Sequence, residues 1–182
     1  MIQEDLLIKV LDRINQLNIP YMMTGGIAAI FYGRPRLTHD FDIIIEMDAH
    51  HIAKLENSFK NDFYISPSAI QEAIDKRSMF NIIHYDSGIK VDFWLIEDDE
   101  YDRKRFERRR KHLYGERDIF FTSPEDVILI KLLWFKDSQI QKHRDDARGV
   151  LEIQQNLDMD YLGKWAKKLS VHNLLEYLLK EG

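Results

Sequence analysis

The sequence predicts an α/β (α+β) core followed by a purely helical extension, on three observations. Helix-period and strand-period apolar patterns alternate as far as Phe121, and helical patterns alone follow from Ser123. An isoleucine-rich strand is entered through Asp40-Phe41-Asp42. The change of pattern puts a core domain at 1–122 and a helical subdomain, expected to pack on it, at 123–182. No internal repeat or low-complexity linker separates them.

Taken in order, the first helix covers Ile2 to Leu17, because Leu6, Leu7, Val10, Leu11 and Ile14 form one apolar stripe and Asn18 with Pro20 stops it. Tyr21 to Thr24 reads as a short strand. Gly25-Gly26 then opens a helix over Ile27 to Tyr32, whose free N–H groups and positive dipole end suit a phosphate anion. An ordinary tight turn would use the same glycines. Gly33-Arg34-Pro35-Arg36 is a loop that leads into a strand from Phe41 to Met47. Side chains alternate along a strand, so Asp40 and Asp42 leave one face at its entry.

His50 to Lys60 and Pro67 to Arg77 read as surface helices. Met79 to Tyr85 and Ile89 to Leu95, joined by Asp86-Ser87-Gly88, read as a hairpin. In its second strand Ile89, Val91, Phe93 and Leu95 share one face, and Lys90, Asp92 and Trp94 share the other. Trp94 can stack a nucleobase or contact the helical tail. Arg103-Lys104-Arg105 and Arg108-Arg109-Arg110-Lys111 follow Glu97-Asp98-Asp99-Glu100, which favours a solvated, internally paired helix over a site for RNA or triphosphate.

In the tail, Ser123-Pro124-Glu125-Asp126 is a helix start in which Asp126 reaches back to the cap. Further helices are expected near Asp145 to Gln155, Met159 to Leu169 and Val171 to Lys180. Lys131 lies in a helix that is apolar on nearly every side, so its ammonium needs an anion or an escape to solvent. Asp146 can supply that anion in a structural pair, or it can orient Lys131 toward a triphosphate.

The whole chain narrows the chemistry. Its 182 residues suffice for one domain or a compact core with an appendage, and with no cysteine it has no disulfide, thiolate metal site or cysteine nucleophile. Met1 to Asp5 lacks the basic start of a signal peptide, and the longest apolar run, Val127 to Phe135, is too short to span a bilayer and contains Lys131. The chain is expected to be soluble and cytoplasmic, with no membrane partner. A net charge of -5 argues against an extended nucleic-acid footprint.

Two carboxylates on one strand face repel unless a cation or proton neutralises them, and a hard divalent ion takes carboxylate, water and phosphate oxygens. With Asp92 on a neighbouring strand, three carboxylates can hold two ions that activate an attacking oxygen and stabilise a leaving pyrophosphate. His39-Asp40 as a phosphohydrolase pair, His143-Arg144-Asp145 as a kinase loop and His50-His51 as a zinc site lack the surrounding residues those sites require.

The ordered set Gly25-Gly26, Asp40-Phe41-Asp42 and Asp92 resembles the nucleotidyltransferase superfamily that shares its catalytic core with DNA polymerase beta. Arg36-Leu37-Thr38-His39-Asp40-Phe41-Asp42, with the later Ser123-Pro124-Glu125-Asp126 and Lys131, is most similar to the branch of bacterial toxin-type and stand-alone nucleotidyltransferases. Antibiotic nucleotidyltransferases use a similar opening. The resemblance implies a small mixed sheet flanked by helices, and transfer of an NMP from an NTP such as ATP to an acceptor hydroxyl. It implies Mg2+ or Mn2+ on Asp40, Asp42 and Asp92, with Asp92 helping to activate the nucleophile. Gly25 and Gly26 would cradle the triphosphate, and Lys131, oriented by Asp146, would offset its charge. Arg36 and Thr38 would contact phosphate or fix the loop. The acceptor is left open among RNA such as a tRNA 3′ end, a small hydroxyl compound and a protein, as is membership of a toxin–antitoxin pair. Two other classes remain: an Asp-x-Asp glycosyltransferase, and a non-catalytic nucleotide-binding or toxin-neutralising module on the same fold.

Overall fold

A computed structural model describes residues 2–38, 40–114 and 116–181. His39, within the acidic motif, lies outside them. The chain divides into two compact units, one formed by Met1–Thr24 with Thr38–Phe121 and the other by Gly25–Leu37 with Thr122–Gly182. The segment Gly25–Leu37, assigned by sequence to the first domain, thus groups with the C-terminal helices.

The first unit is built on a mixed seven-stranded sheet of order β3-β4-β5-β2-β1-β7-β6. Its strands are β1 (Tyr21–Met23), β2 (Asp40–Ile45), β3 (Phe63–Tyr64), β4 (Met79–His84), β5 (Lys90–Leu95), β6 (Arg110–Tyr114) and β7 (Arg117–Phe121). β2 runs parallel to β5 and antiparallel to β1, and β4 and β5 form the antiparallel hairpin read from the sequence. The helices of this unit are α1 (Ile2–Gln16), α3 (Ile52–Phe59), α4 (Pro67–Lys76) and α5 (Glu100–Glu107).

Alternation along β2 and β5 gives the sheet two unlike faces. Phe41, Ile43, Ile45, Val91, Phe93 and Leu95 are buried on one side, where Phe93 meets Phe59 of α3 edge-on and stacks on Phe80 of β4. Asp40, Asp42, Lys90, Asp92 and Trp94 take the alternate positions. On that second side Met22, Ile44, Ile96 and Phe106 of α5 form a small buried apolar cluster.

Two departures from the sequence reading have physical causes. The basic stretch is not one helix: α5 ends at Glu107, and Arg110 and Lys111 begin β6, which pairs with β7. A run of charged residues hides that strand, because its solvated side chains carry no apolar alternation. The helix expected from His50 instead starts as a 3-10 turn, Ala49–His51, where Asp48 forms a capping box with His51.

The second unit contains α2 (Gly25–Tyr32), α6 (Pro124–Ser138), α7 (Gln141–Ile153), α8 (Met159–Lys168) and α9 (His172–Glu181). α6 starts as the sequence indicates. The Ser123 hydroxyl donates to Asp126 Oδ2 at 2.6 Å and accepts from the Asp126 N–H, while the Tyr161 hydroxyl of α8 donates to Asp126 Oδ1 at 2.7 Å. Asp126 is therefore a structural junction of α6 and α8. α2 and α7 approach closely after Tyr32, since a Cβ on Gly33 would stand 2.7 Å from the Ala29 carbonyl oxygen and 3.0 Å from the Val150 nitrogen. Among the described residues no helix is long and apolar enough to cross a membrane.

Candidate active site

The parallel pairing of β2 with β5 aligns Asp40 with Lys90, Asp42 with Asp92 and Ile44 with Trp94. Residues paired in register leave a sheet on the same side, so Asp40, Asp42, Lys90, Asp92 and Trp94 share a face. On the next strand Asn81 of β4 is paired with Asp92. The β1 side is tied in by the backbone, where the Thr24 N–H donates to the Asp42 carbonyl oxygen at 3.0 Å.

Within this group each central carboxylate already has a partner. Lys90 Nζ stands 2.8 Å from Asp92 Oδ2, and the Trp94 indole N–H makes a long contact of 3.4 Å with Asp42 Oδ1. Asp92 is only 6% exposed, and its Oδ1 is buried with no hydrogen-bond partner among the described residues. Such an orphaned acceptor is costly in a folded protein and marks a place where a proton or cation fits. The Lys90 ammonium is held above its ordinary pKa by its hydrogen bond to Asp92, which outweighs partial burial, with Asp40 and Asp42 adding to the effect.

The oxygen-only donor set, with one buried oxygen unpartnered, fits a hard divalent ion. The carboxylates are not gathered around one point, however. Among the described residues no group of three His, Asp or Glu side chains stands at metal-holding distance. Asp40, Asp42 and Asp92 thus share one face of two adjacent strands as expected, but the expected convergence of all three carboxylates on one point is not seen among the described residues, where Lys90 and Trp94 engage Asp92 and Asp42 individually. Sequence reasoning placed Lys90 on this face without giving it a role. The signal was available, because Lys90 and Asp92 are two apart on one strand.

The other predicted residues belong to the second unit, apart from Thr38, which lies in the first and is partly exposed. Gly25 has φ of +62°, a left-handed conformation that explains glycine there, and Gly25 and Gly26 form the first turn of α2. Arg36 forks onto Asp146, with Nε to Oδ1 at 2.7 Å and the second guanidinium nitrogen to Oδ2 at 2.9 Å, and it also donates to the Leu37 carbonyl oxygen. Lys131, 3% exposed, reaches the same Asp146 Oδ2 at 2.8 Å. Burial pushes the Asp146 pKa up, but the hydrogen bonds and charges of Arg36 and Lys131 outweigh it and leave the carboxyl below its ordinary value. Beside them the His143 pKa is lowered by burial and by the Lys131 charge. Arg36 thus ties its loop to α7 through Asp146.

Most of the basic stretch is also paired: Arg103 with Asp98, Lys104 with Glu107, Arg105 with Asp102 and Lys111 with Asp118. Arg109 lies over the Phe106 and Phe120 rings.

No protein-family model matches the chain, and no curated protein matches it in sequence. Solved structures do match in fold. An antigenic nucleotidyltransferase-like protein from Paracoccidioides brasiliensis is 19% identical, with a TM-score of 0.57 over 96% of this chain and 91% of that one. The lincosamide antibiotic adenylyltransferase LnuA, solved with lincomycin bound, is 17% identical, with a TM-score of 0.55 over 83% of this chain and 98% of that one. ANT(2")-Ia, solved in complex with adenylyl-2"-tobramycin, is 13% identical, with a TM-score of 0.55 over 100% of this chain and 99% of that one. The chain shares the fold of these nucleotidyltransferases, as the order of its Gly-Gly, Asp-x-Asp and third Asp elements led one to expect.

Proposed function

We propose that this protein transfers an NMP from an NTP to the hydroxyl of a small acceptor and releases pyrophosphate. The observation that carries the reading is the in-register facing of Asp42 and Asp92, with Asp40 on the same face and Asp92 Oδ1 buried without a partner. Asp40, Asp42 and Asp92 would hold Mg2+ or Mn2+, which when bound supplies positive charge against the charge that develops on the phosphoryl oxygens. The acceptor oxygen bonds to the α-phosphorus. The bond from that phosphorus to the bridging oxygen breaks, and its electron pair leaves with pyrophosphate. Asp92 receives the hydroxyl proton. Gly25, Gly26, Lys131 and Thr38 are the residues offered for phosphate contact, with Asp146 orienting Lys131.

A small hydroxyl acceptor is favoured over RNA by the charge balance, and over RNA and protein by the structures that share the fold. The net charge of -5 opposes a long anionic partner, and the basic stretch is largely neutralised by its own acidic neighbours. The antibiotic-bound structures that share the fold point the same way. Trp94, 41% exposed beside Asp42, offers a surface on which a nucleobase or an acceptor ring can stack.

The test is direct. The purified protein is incubated with each NTP labelled at the α-phosphate, Mg2+ and pooled small hydroxyl compounds, and both pyrophosphate and labelled adducts are followed. Stoichiometric pyrophosphate and adduct support the reading. NTP binding with neither product, under every pairing of base and metal, would leave the binding module as the better account.

A further inference from the structure

The acidic face of the sheet contains its own cation. Lys90 is aligned with Asp40 across β2 and β5, lies on the face of Asp42 and Asp92, and is bonded to Asp92 Oδ2 at 2.8 Å. Its side chain is partly exposed, with an open route to solvent, whereas Asp92 is buried. Asp42 is meanwhile engaged by the Trp94 indole. These separate engagements account for the lack of a three-carboxylate cage among the described residues. Three neighbouring carboxylates with no counter-charge would raise the energy of the fold, and a lysine on the same face relieves that repulsion.

We propose that Lys90 is an exchangeable counter-cation: it neutralises Asp92 while no divalent ion is bound and leaves Asp92 when one arrives. Metal binding is then an exchange of one cation for another. The unpartnered Asp92 Oδ1 favours that exchange, because the present pairing satisfies only one oxygen of a buried carboxylate. The released ammonium, on its flexible stem, moves into solvent or onto a phosphate oxygen brought in with the ion. This inference rests on the assignment of Asp40, Asp42 and Asp92 as metal ligands.

The experiment uses Mn2+ alone, without nucleotide, and measures its affinity by titration in low-salt buffer for wild type, Lys90→Met and Lys90→Arg. Lys90→Met keeps the apolar stem but removes the charge, so it should bind Mn2+ roughly tenfold more tightly, because the ion no longer has to break the attraction between two unit charges in contact. Lys90→Arg should resemble wild type. In the metal-free state Lys90→Met should melt at a lower temperature than wild type, and the difference should close as Mn2+ is added. A second readout needs no variant to fold: the Lys90 side-chain NMR signal should shift when Mg2+ is added to wild type. Equal or weaker Mn2+ binding by Lys90→Met, or a Lys90 signal indifferent to Mg2+, overturns the exchange and leaves the function intact. Failure of every protein to bind Mn2+ overturns the ligand assignment as well.

Discussion

Asp42 and Asp92 occupy one register position on neighbouring parallel strands, so two carboxylates 50 residues apart in the chain leave the sheet side by side. Neighbouring strands in a sheet lie about 4.8 Å apart, which brings these charges within the range where like carboxylates perturb one another. A folded protein relieves such repulsion with a compensating cation or a proton.

Asp42→Asn is therefore expected to separate chemistry from folding. The amide keeps the shape and can still accept from the Trp94 indole, but it removes a ligand charge. Label transfer should fall at least about 100-fold, since losing even a group that only supports a metal ligand costs roughly 10–100-fold. The melting temperature of the metal-free protein should hold or rise as repulsion is relieved. Full transfer activity in this variant would end the proposed role of Asp42.

The Asp146 cluster predicts an acid-sensitive part of the stability. Its carboxyl pKa is depressed in the fold by Arg36 and Lys131 despite burial, so the folded state binds the proton less readily than the unfolded chain. The stabilisation is present above the unfolded value of about 3.9 and is lost as pH falls through the lower folded value. Asp146→Asn, by leaving Lys131 buried without its anion, should cost about 3–5 kcal/mol at pH 7. The gap between wild type and variant, measured by denaturant unfolding, should shrink as pH drops below about 4. A gap constant from pH 7 to pH 3 would contradict the assignment.

Lys131→Met should be far milder. A pair of Lys131 with Asp146 alone would leave a buried carboxylate stranded when Lys131 is lost, but Arg36 remains forked onto Asp146. The single change is expected to cost about 1 kcal/mol, whereas the double change Arg36→Met with Lys131→Met removes both partners and should exceed the sum of the singles. NTP affinity supplies the second axis. If Lys131 meets phosphate, the single variant binds NTP more weakly while folding well; unchanged affinity assigns Lys131 to packing.

These contacts also mark what could be read from sequence. Strand parity alone put Asp40 with Asp42, and Lys90 with Asp92 and Trp94, each set on one face of its own strand, because period-two alternation needs no tertiary information. The direct alignment of Asp42 with Asp92 required the order of the strands, which no local pattern carries. The Arg36 fork on Asp146 spans 110 residues, and the sequence offered Asp146 only as the anion that a buried Lys131 needs. The β6–β7 hairpin was hidden for another reason. Arg110, Lys111 and His112 give a solvated strand the look of a charged helix, and pairing with Ile119, Phe120 and Phe121 decides the outcome.

Tyr161→Phe tests a stabilising contact outside the proposed chemistry. Asp126 is fully buried and takes hydroxyl donors on both oxygens, one from Ser123 and one from Tyr161. Removing the Tyr161 donor from an acceptor with no solvent should cost about 1.5–3 kcal/mol. Transfer by the folded fraction, assayed well below the melting temperature, should be unchanged. A large loss of specific activity without a loss of stability would move Asp126 from junction to active site.

The last prediction concerns the acceptor and turns on salt. An RNA held through 6–10 phosphate contacts would lose about 10³–10⁵ in affinity between 50 and 200 mM salt, because each neutralised phosphate releases condensed counterions. The basic stretch offers few cations for that task, since Arg103, Lys104, Arg105 and Lys111 are engaged with Asp98, Glu107, Asp102 and Asp118. Arg109 is laid over Phe106 and Phe120, so its charge also contributes to packing. With a small hydroxyl acceptor, the acceptor KM should change only a few-fold across that range at fixed free Mg2+. Neutralising Arg103 and Lys104, both at the surface of α5, should leave acceptor KM and NTP affinity unaltered. A KM that climbs by orders of magnitude with salt, and climbs further in the neutralised variant, would instead identify a polyanionic acceptor held at this surface.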